Sequence, residues 1–126
     1  MSPQPDKTQL AMTEEAREKA DEIVAAAGFK DRQDAYRLAV AIALAERLDP
    51  APADVTRGNY AADAGVDPDG ALRAATRELR DDHEGRPAAL IERLAEAGID
   101  RLHAEVHAGR SLRETLERYR AEPSGG

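Results

Sequence analysis

The chain has 126 residues, with 18 Lys and Arg against 25 Asp and Glu, so its formal charge is −7 and one modest domain is expected, without the basic excess of a typical nucleic-acid binder. With 41% apolar residues it is too rich in core-forming side chains to be read as disordered. The absence of cysteine excludes disulfides and thiolate chemistry, and the longest apolar run, residues 38–45, is far short of the ~20 residues of a membrane span.

Residues 1–6 read as a loose tail with no export signal, which makes the cytoplasm the expected compartment and a membrane an unexpected partner. Residues 7–12 alternate polar and apolar, as a short strand does, and Thr13 follows as a helix N-cap with Glu14 and Glu15 in the first turn. The first helix is predicted from Glu14 to Ala27, with Ala16, Ala20, Ile23, Val24 and Ala27 on one face and Gly28 as its stop. Asp31 is the expected N-cap of a second helix reaching about Arg47.

That second helix is apolar on more than one side. Leu38, Ile42 and Ala45 occupy one flank, and Tyr36, Val40 and Leu44 another, so it demands cover on most sides. The lone strand likewise lacks a partner for its backbone groups. Both needs are met if two copies pair strand to strand and pack second helix on second helix, which predicts a homodimer or higher homo-oligomer. Its core would be Leu10, Met12, Tyr36, Leu38, Val40, Ile42 and Leu44.

Residues 50–66 read as a linker, broken by Pro50, Pro52, Gly58 and Gly65. Asp67-Pro68 marks the start of a third helix, predicted over about 68–81 with Leu72, Ala75 and Leu79 inward. Further short helices are predicted around Leu90, Ile91 and Leu94, stopped by Gly98, around Leu102 and Val106, stopped by Gly109, and from the capping box Ser111-Leu112-Arg113-Glu114. Residues 67–121 thus form a helical C-terminal region, a candidate surface for a protein partner, and 122–126 a tail. The expected fold class is mainly α, with one short strand that pairs across a dimer.

Strand, helix, glycine turn and helix over residues 7–47, carried by Thr8 to Thr13 and Gly28 to Val40, resemble the ribbon-helix-helix family of the MetJ/Arc type. The resemblance implies a ribbon in the DNA major groove with outward strand residues reading bases. Those positions here are Lys7, Gln9 and Ala11, while Lys30, Asp31 and Arg32 fall where the family clamps a phosphate. Ala11 departs from the family, which usually has a polar or basic side chain there. A second similarity, Arg37-Leu38-Ala39 followed by the Leu48-Asp49-Pro50-Ala51-Pro52 break, links the chain to the DndE family of DNA phosphorothioation proteins. That one implies an accessory subunit of a DNA-modification or phage-defence complex.

Other candidate chemistry is sparse. His103 and His107 stand one helical turn apart, a spacing able to hold a divalent metal, with Asp100, Glu105 or His83 as conceivable third ligands. The bland alternative is a histidine pair bordering a packed stripe. The acid pairs Asp67/Asp69 and Asp81/Asp82 fall at helix ends, where caps want acids. Ser2 and Ser124 lie in tails and Ser111 is a cap, so no nucleophilic triad is supported.

The sequence therefore predicts a cofactor-free, non-enzymatic protein. The first reading is a homodimeric duplex-DNA binder, a transcriptional regulator or antitoxin-like repressor; the second is the interaction subunit. Residues 1–50 hold 7 basic and 10 acidic residues and residues 51–126 hold 11 and 15, so neither block is basic.

Overall fold

The fold is taken from a computed structural model, which describes residues 9–51, 60–61, 66–67, 69–83 and 85–108. The described residues are mainly helical, with α1 at Glu14–Ala27, α2 at Arg32–Glu46, α3 at Ala71–Leu79 and α4 at Pro87–His107, plus a 3₁₀ turn at Asp81–His83. The predicted tails, Lys7 and the Ser111 helix lie outside the described residues.

The first two helices have the bounds their caps dictate. The Thr13 hydroxyl accepts from the Ala16 N–H at 3.1 Å, and the chain leaves α1 through Gly28 at φ 70°. Asp31 accepts from the Asp34 N–H at 3.1 Å to open α2. The third helix begins later than predicted because Gly70, at φ 75°, closes a turn by donating its N–H to the Asp67 carbonyl at 3.1 Å. Asp67 still acts as a cap from three residues further back, its carboxylate accepting from the N–H groups of Leu72 (2.9 Å) and Arg73 (3.0 Å).

The ribbon-helix-helix unit expected at the N-terminus is not what forms. Extended pairing among the described residues amounts to Gln9–Leu10 against Tyr60–Ala61 of the same chain, antiparallel, with Gln9 opposite Ala61 and Leu10 opposite Tyr60. Two residues paired internally leave no strand there for a ribbon across a dimer. Beyond them the backbone finds side-chain acceptors: the Ala11 N–H donates to Glu92 Oε2 at 2.9 Å and the Thr13 N–H to Glu96 Oε1 at 3.3 Å. Two carboxylates one turn apart on α4 thus do for this segment what a neighbouring strand was expected to do.

The second argument for pairing, the over-apolar α2, is also answered within the chain. α2 buries Ala35, Tyr36, Ala39, Val40, Ile42, Ala43 and Leu44, and it packs against α1, α3 and above all α4. The residues assigned to a dimer core, Leu10, Met12, Tyr36, Val40, Ile42 and Leu44, are buried in the protomer's own core, with Leu38 half-buried at its edge. The cover comes from Ala88, Leu90, Ile91, Leu94, Ala95, Ile99 and Leu102 of α4, where each large side chain contributes roughly 1.5–3 kcal/mol by leaving water.

Covering α2 requires a long partner, and here the helix boundaries predicted from glycine are corrected. α4 runs unbroken for 21 residues through Gly98. Gly98 is buried against the α2 backbone, so its missing side chain serves close approach and does not end the helix. The far end of α4 is fastened by Arg101, which bonds Glu105 on its own helix and reaches Glu46 of α2 with Nε at 3.0 Å from Oε1. The chain leaving α2 is clamped by Arg80 Nη1, donating to the Leu48 carbonyl at 2.9 Å, and by Arg93 Nε, donating to the Ala51 carbonyl at 2.8 Å.

Candidate functional site

Among the described residues predicted to meet DNA, Asp31 and Arg32 are engaged in contacts within the chain. Ala11, expected to point outward, is fully buried. Gln9 is placed by its backbone pairing to Ala61. At the start of α2, the proposed phosphate clamp is closed on itself: Asp31 caps the helix, and the Lys30 N–H donates to Asp34 Oδ2 at 3.2 Å. The Arg32 guanidinium forms a fork on Asp21 of α1, with Nε to Oδ1 at 2.6 Å and Nη2 to Oδ2 at 2.9 Å. This contact holds the Asp21 carboxyl below the usual carboxylate range. Lys30 itself is exposed.

A different group of chemistry-bearing residues does converge, at the seam of α1 and α4. α4 packs along α1, bringing its last two turns beside the exposed acidic side of α1. Glu22 from α1 there meets His103 and His107 from α4, and one ligand-type atom from each lies within 4.8 Å of the others. His103 Nε2 contacts Glu22 Oε2 directly, His107 Nε2 stands 3.0 Å from His103 Nε2, and Glu22 Oε1 lies 3.6 Å from His107 Nε2. The two imidazole rings are tilted by 54° with centroids 4.2 Å apart. The hydrogen bond to His103 pulls the Glu22 carboxyl below its ordinary range.

The sequence singled out the histidine pair but not its companion. Each third ligand conceived from the sequence is engaged elsewhere. Asp100 accepts from Lys19 Nζ at 2.6 Å, Glu105 is buried and bonded to Arg101, and His83 Nδ1 accepts from the Gly85 N–H at 2.9 Å. Glu22 is one of several acids on an exposed helix face, and no local pattern distinguishes it.

Two open grooves flank the helices. One, about 500 Å³, is lined by Asp21, Val24, Asp31, Arg32 and Gln33 at the junction of α1 and α2. The other, about 470 Å³, lies between α2 and the approach to α3, with Leu38, Ala41 and Leu72 as apolar lining and Arg37, Asp67 and Asp69 as polar lining. Leu72, Ala75 and Leu79 share one face of α3, and that face runs from this groove, along the core edge, to Leu79, which is 64% exposed. Leu79 is the exposed large apolar side chain among the described residues.

No family model, curated protein or solved structure matches the chain.

Proposed function

We propose that this protein is a non-enzymatic interaction subunit that binds a partner protein through α3 and the adjoining α2 groove. The observation that carries this reading is the apolar face of α3, which begins packed at Leu72 and Ala75 and continues past the core to the exposed Leu79. A short helix whose apolar stripe outruns its own core offers an anchor of the kind that a partner's apolar surface covers. The Arg37, Asp67 and Asp69 side chains beside the groove supply a polar rim. The similarity of Arg37-Leu38-Ala39 and its Pro-rich break to DndE proteins supports a DNA-modification or phage-defence complex as the setting.

Duplex-DNA binding has less to support it. The charge is −7, Ala11 is buried and Arg32 is forked on Asp21. The test sets the two readings side by side. Proteins encoded by the neighbouring genes are mixed one at a time with the purified chain and with Leu79→Asp, and duplex fragments are tested by band shift at about 50 mM salt, where phosphate attraction is strong. The expected result is one neighbour that co-elutes with the wild type and not with the variant, and no shift of DNA. A salt-sensitive DNA shift that Leu79→Asp leaves unchanged would overturn the proposal, as would indifference of every neighbour. Sedimentation of the chain alone shows whether Leu79 instead mediates contact between two copies.

A further inference from the structure

We infer that Glu22, His103 and His107 form a binding site for a divalent cation of the zinc type, which ties the end of α4 to α1. This inference is independent of the protein-binding proposal. His103 Nε2 faces both Glu22 Oε2 and His107 Nε2, the latter at 3.0 Å, and His107 Nε2 is 3.6 Å from Glu22 Oε1. Ligand atoms around a tetrahedral zinc, with bonds of roughly 2.0–2.2 Å, stand about 3.3–3.6 Å apart. His107 Nε2 is 3.0 Å from His103 Nε2 and 3.6 Å from Glu22 Oε1, near that spacing, while the direct His103–Glu22 contact is closer and opens to admit the ion.

The chemistry of the donors points the same way. Neutral imidazoles protonated at Nδ1 direct their Nε2 lone pairs at one another and at a carboxylate. Three lone-pair atoms then converge, a situation relieved by a proton on one nitrogen or by a cation shared among all three. Two imidazoles and one carboxylate suit zinc and its first-row neighbours, while Mg²⁺ and Ca²⁺ want oxygen shells. Glu22 and His107 have side chains 54% and 62% exposed, which leaves the fourth coordination position to water.

The same exposure makes these two residues suitable for test, since neither supports the core. Zn²⁺ is titrated calorimetrically into tag-free, chelator-treated protein, into Glu22→Gln and into His107→Gln, with thermal melts in parallel and circular dichroism to check the fold of each variant. The wild type is expected to bind one Zn²⁺ and to gain about 5–10 °C in thermal midpoint at roughly a hundredfold excess over Kd. Each variant should lose at least about tenfold in affinity, and Mg²⁺ and Ca²⁺ should leave the midpoint unmoved. Co²⁺ should bind with the intense visible bands of a tetrahedral centre. Absence of Zn²⁺ binding overturns the site. So does a Glu22→Gln protein that binds as tightly as the wild type, because the ion then sits on the α4 histidine pair without bridging to α1.

Discussion

Gly98 of α4 rests on the backbone of Ala39 of α2. A Cβ placed on Gly98 would lie 2.0 Å from the Ala39 carbonyl oxygen, 2.5 Å from its carbonyl carbon and 2.8 Å from its Cα. The two longest helices among the described residues therefore cross with main chain against main chain. This contact brings Ile91, Leu94, Ala95 and Ile99 within reach of the apolar sides of α2 and makes a dimer unnecessary for covering them.

Gly98→Ala should be markedly destabilising although alanine is the better helix former. The propensity gain is about 1 kcal/mol, whereas displacing backbone atoms in a packed interface costs roughly 1–3 kcal/mol and here belongs at the upper end or beyond. Urea denaturation should show a net loss of at least about 1 kcal/mol. A stabilised variant would mean that α4 and α2 do not meet at this point.

Glu92→Ala should free the segment entering α1. The variant leaves the buried Ala11 N–H without its acceptor, a loss of about 1–3 kcal/mol for a hydrogen bond to a carboxylate, with cavity formation added. Hydrogen exchange at Ala11 is the direct readout and should accelerate strongly. Glu92→Gln, which retains an acceptor oxygen, should lie between wild type and Glu92→Ala.

Glu96 should make stability depend on pH in the opposite sense to most carboxylates. Burial raises its pKa above the usual 4.5, outweighing the opposing hydrogen bonds from Thr13. One of its carboxylate oxygens, Oε2, is buried with no hydrogen-bond partner among the described residues. A raised acid favours the protonated fold, so its contribution is fully present below the unfolded pKa and is lost as pH rises through the folded one. Compared with Glu96→Gln, the wild type should therefore lose ground in denaturant titrations as pH rises above the ordinary carboxylate value of 4.5. Stability curves that stay parallel across that range would show that Glu96 is not desolvated.

Asp67 should behave in the conventional sense. Burial would raise its pKa, but the Leu72 and Arg73 N–H groups and the Arg73 guanidinium together hold it below 3.8. Its stabilisation is present above the unfolded value and lost as pH falls through the folded one. Asp67→Asn should cost about 1–2 kcal/mol at neutral pH, the scale of a helix cap, and progressively less in acid. Denaturation at a series of pH values checks this, and a cost that persists undiminished in acid would assign the effect to packing.

The parts of this fold that were legible in the sequence are those decided within a few residues. Thr13 and Asp31 satisfy N–H groups three positions on, Gly28 takes a backbone conformation unfavourable to other residues, and the bounds of α1 and α2 follow directly. The need of the segment around Ala11 for hydrogen-bond acceptors, and of α2 for apolar cover, was equally visible. What would meet those needs was not. A backbone N–H is satisfied as well by a carboxylate as by a strand, and an apolar helix as well by a distant part of its own chain as by a second copy. Only the tertiary structure decides, by bringing Glu92 to Ala11, Gly98 to Ala39 and Glu22 to the His103–His107 pair. Each of these contacts joins residues far apart in the chain, and nothing in the local pattern of either partner encodes the other.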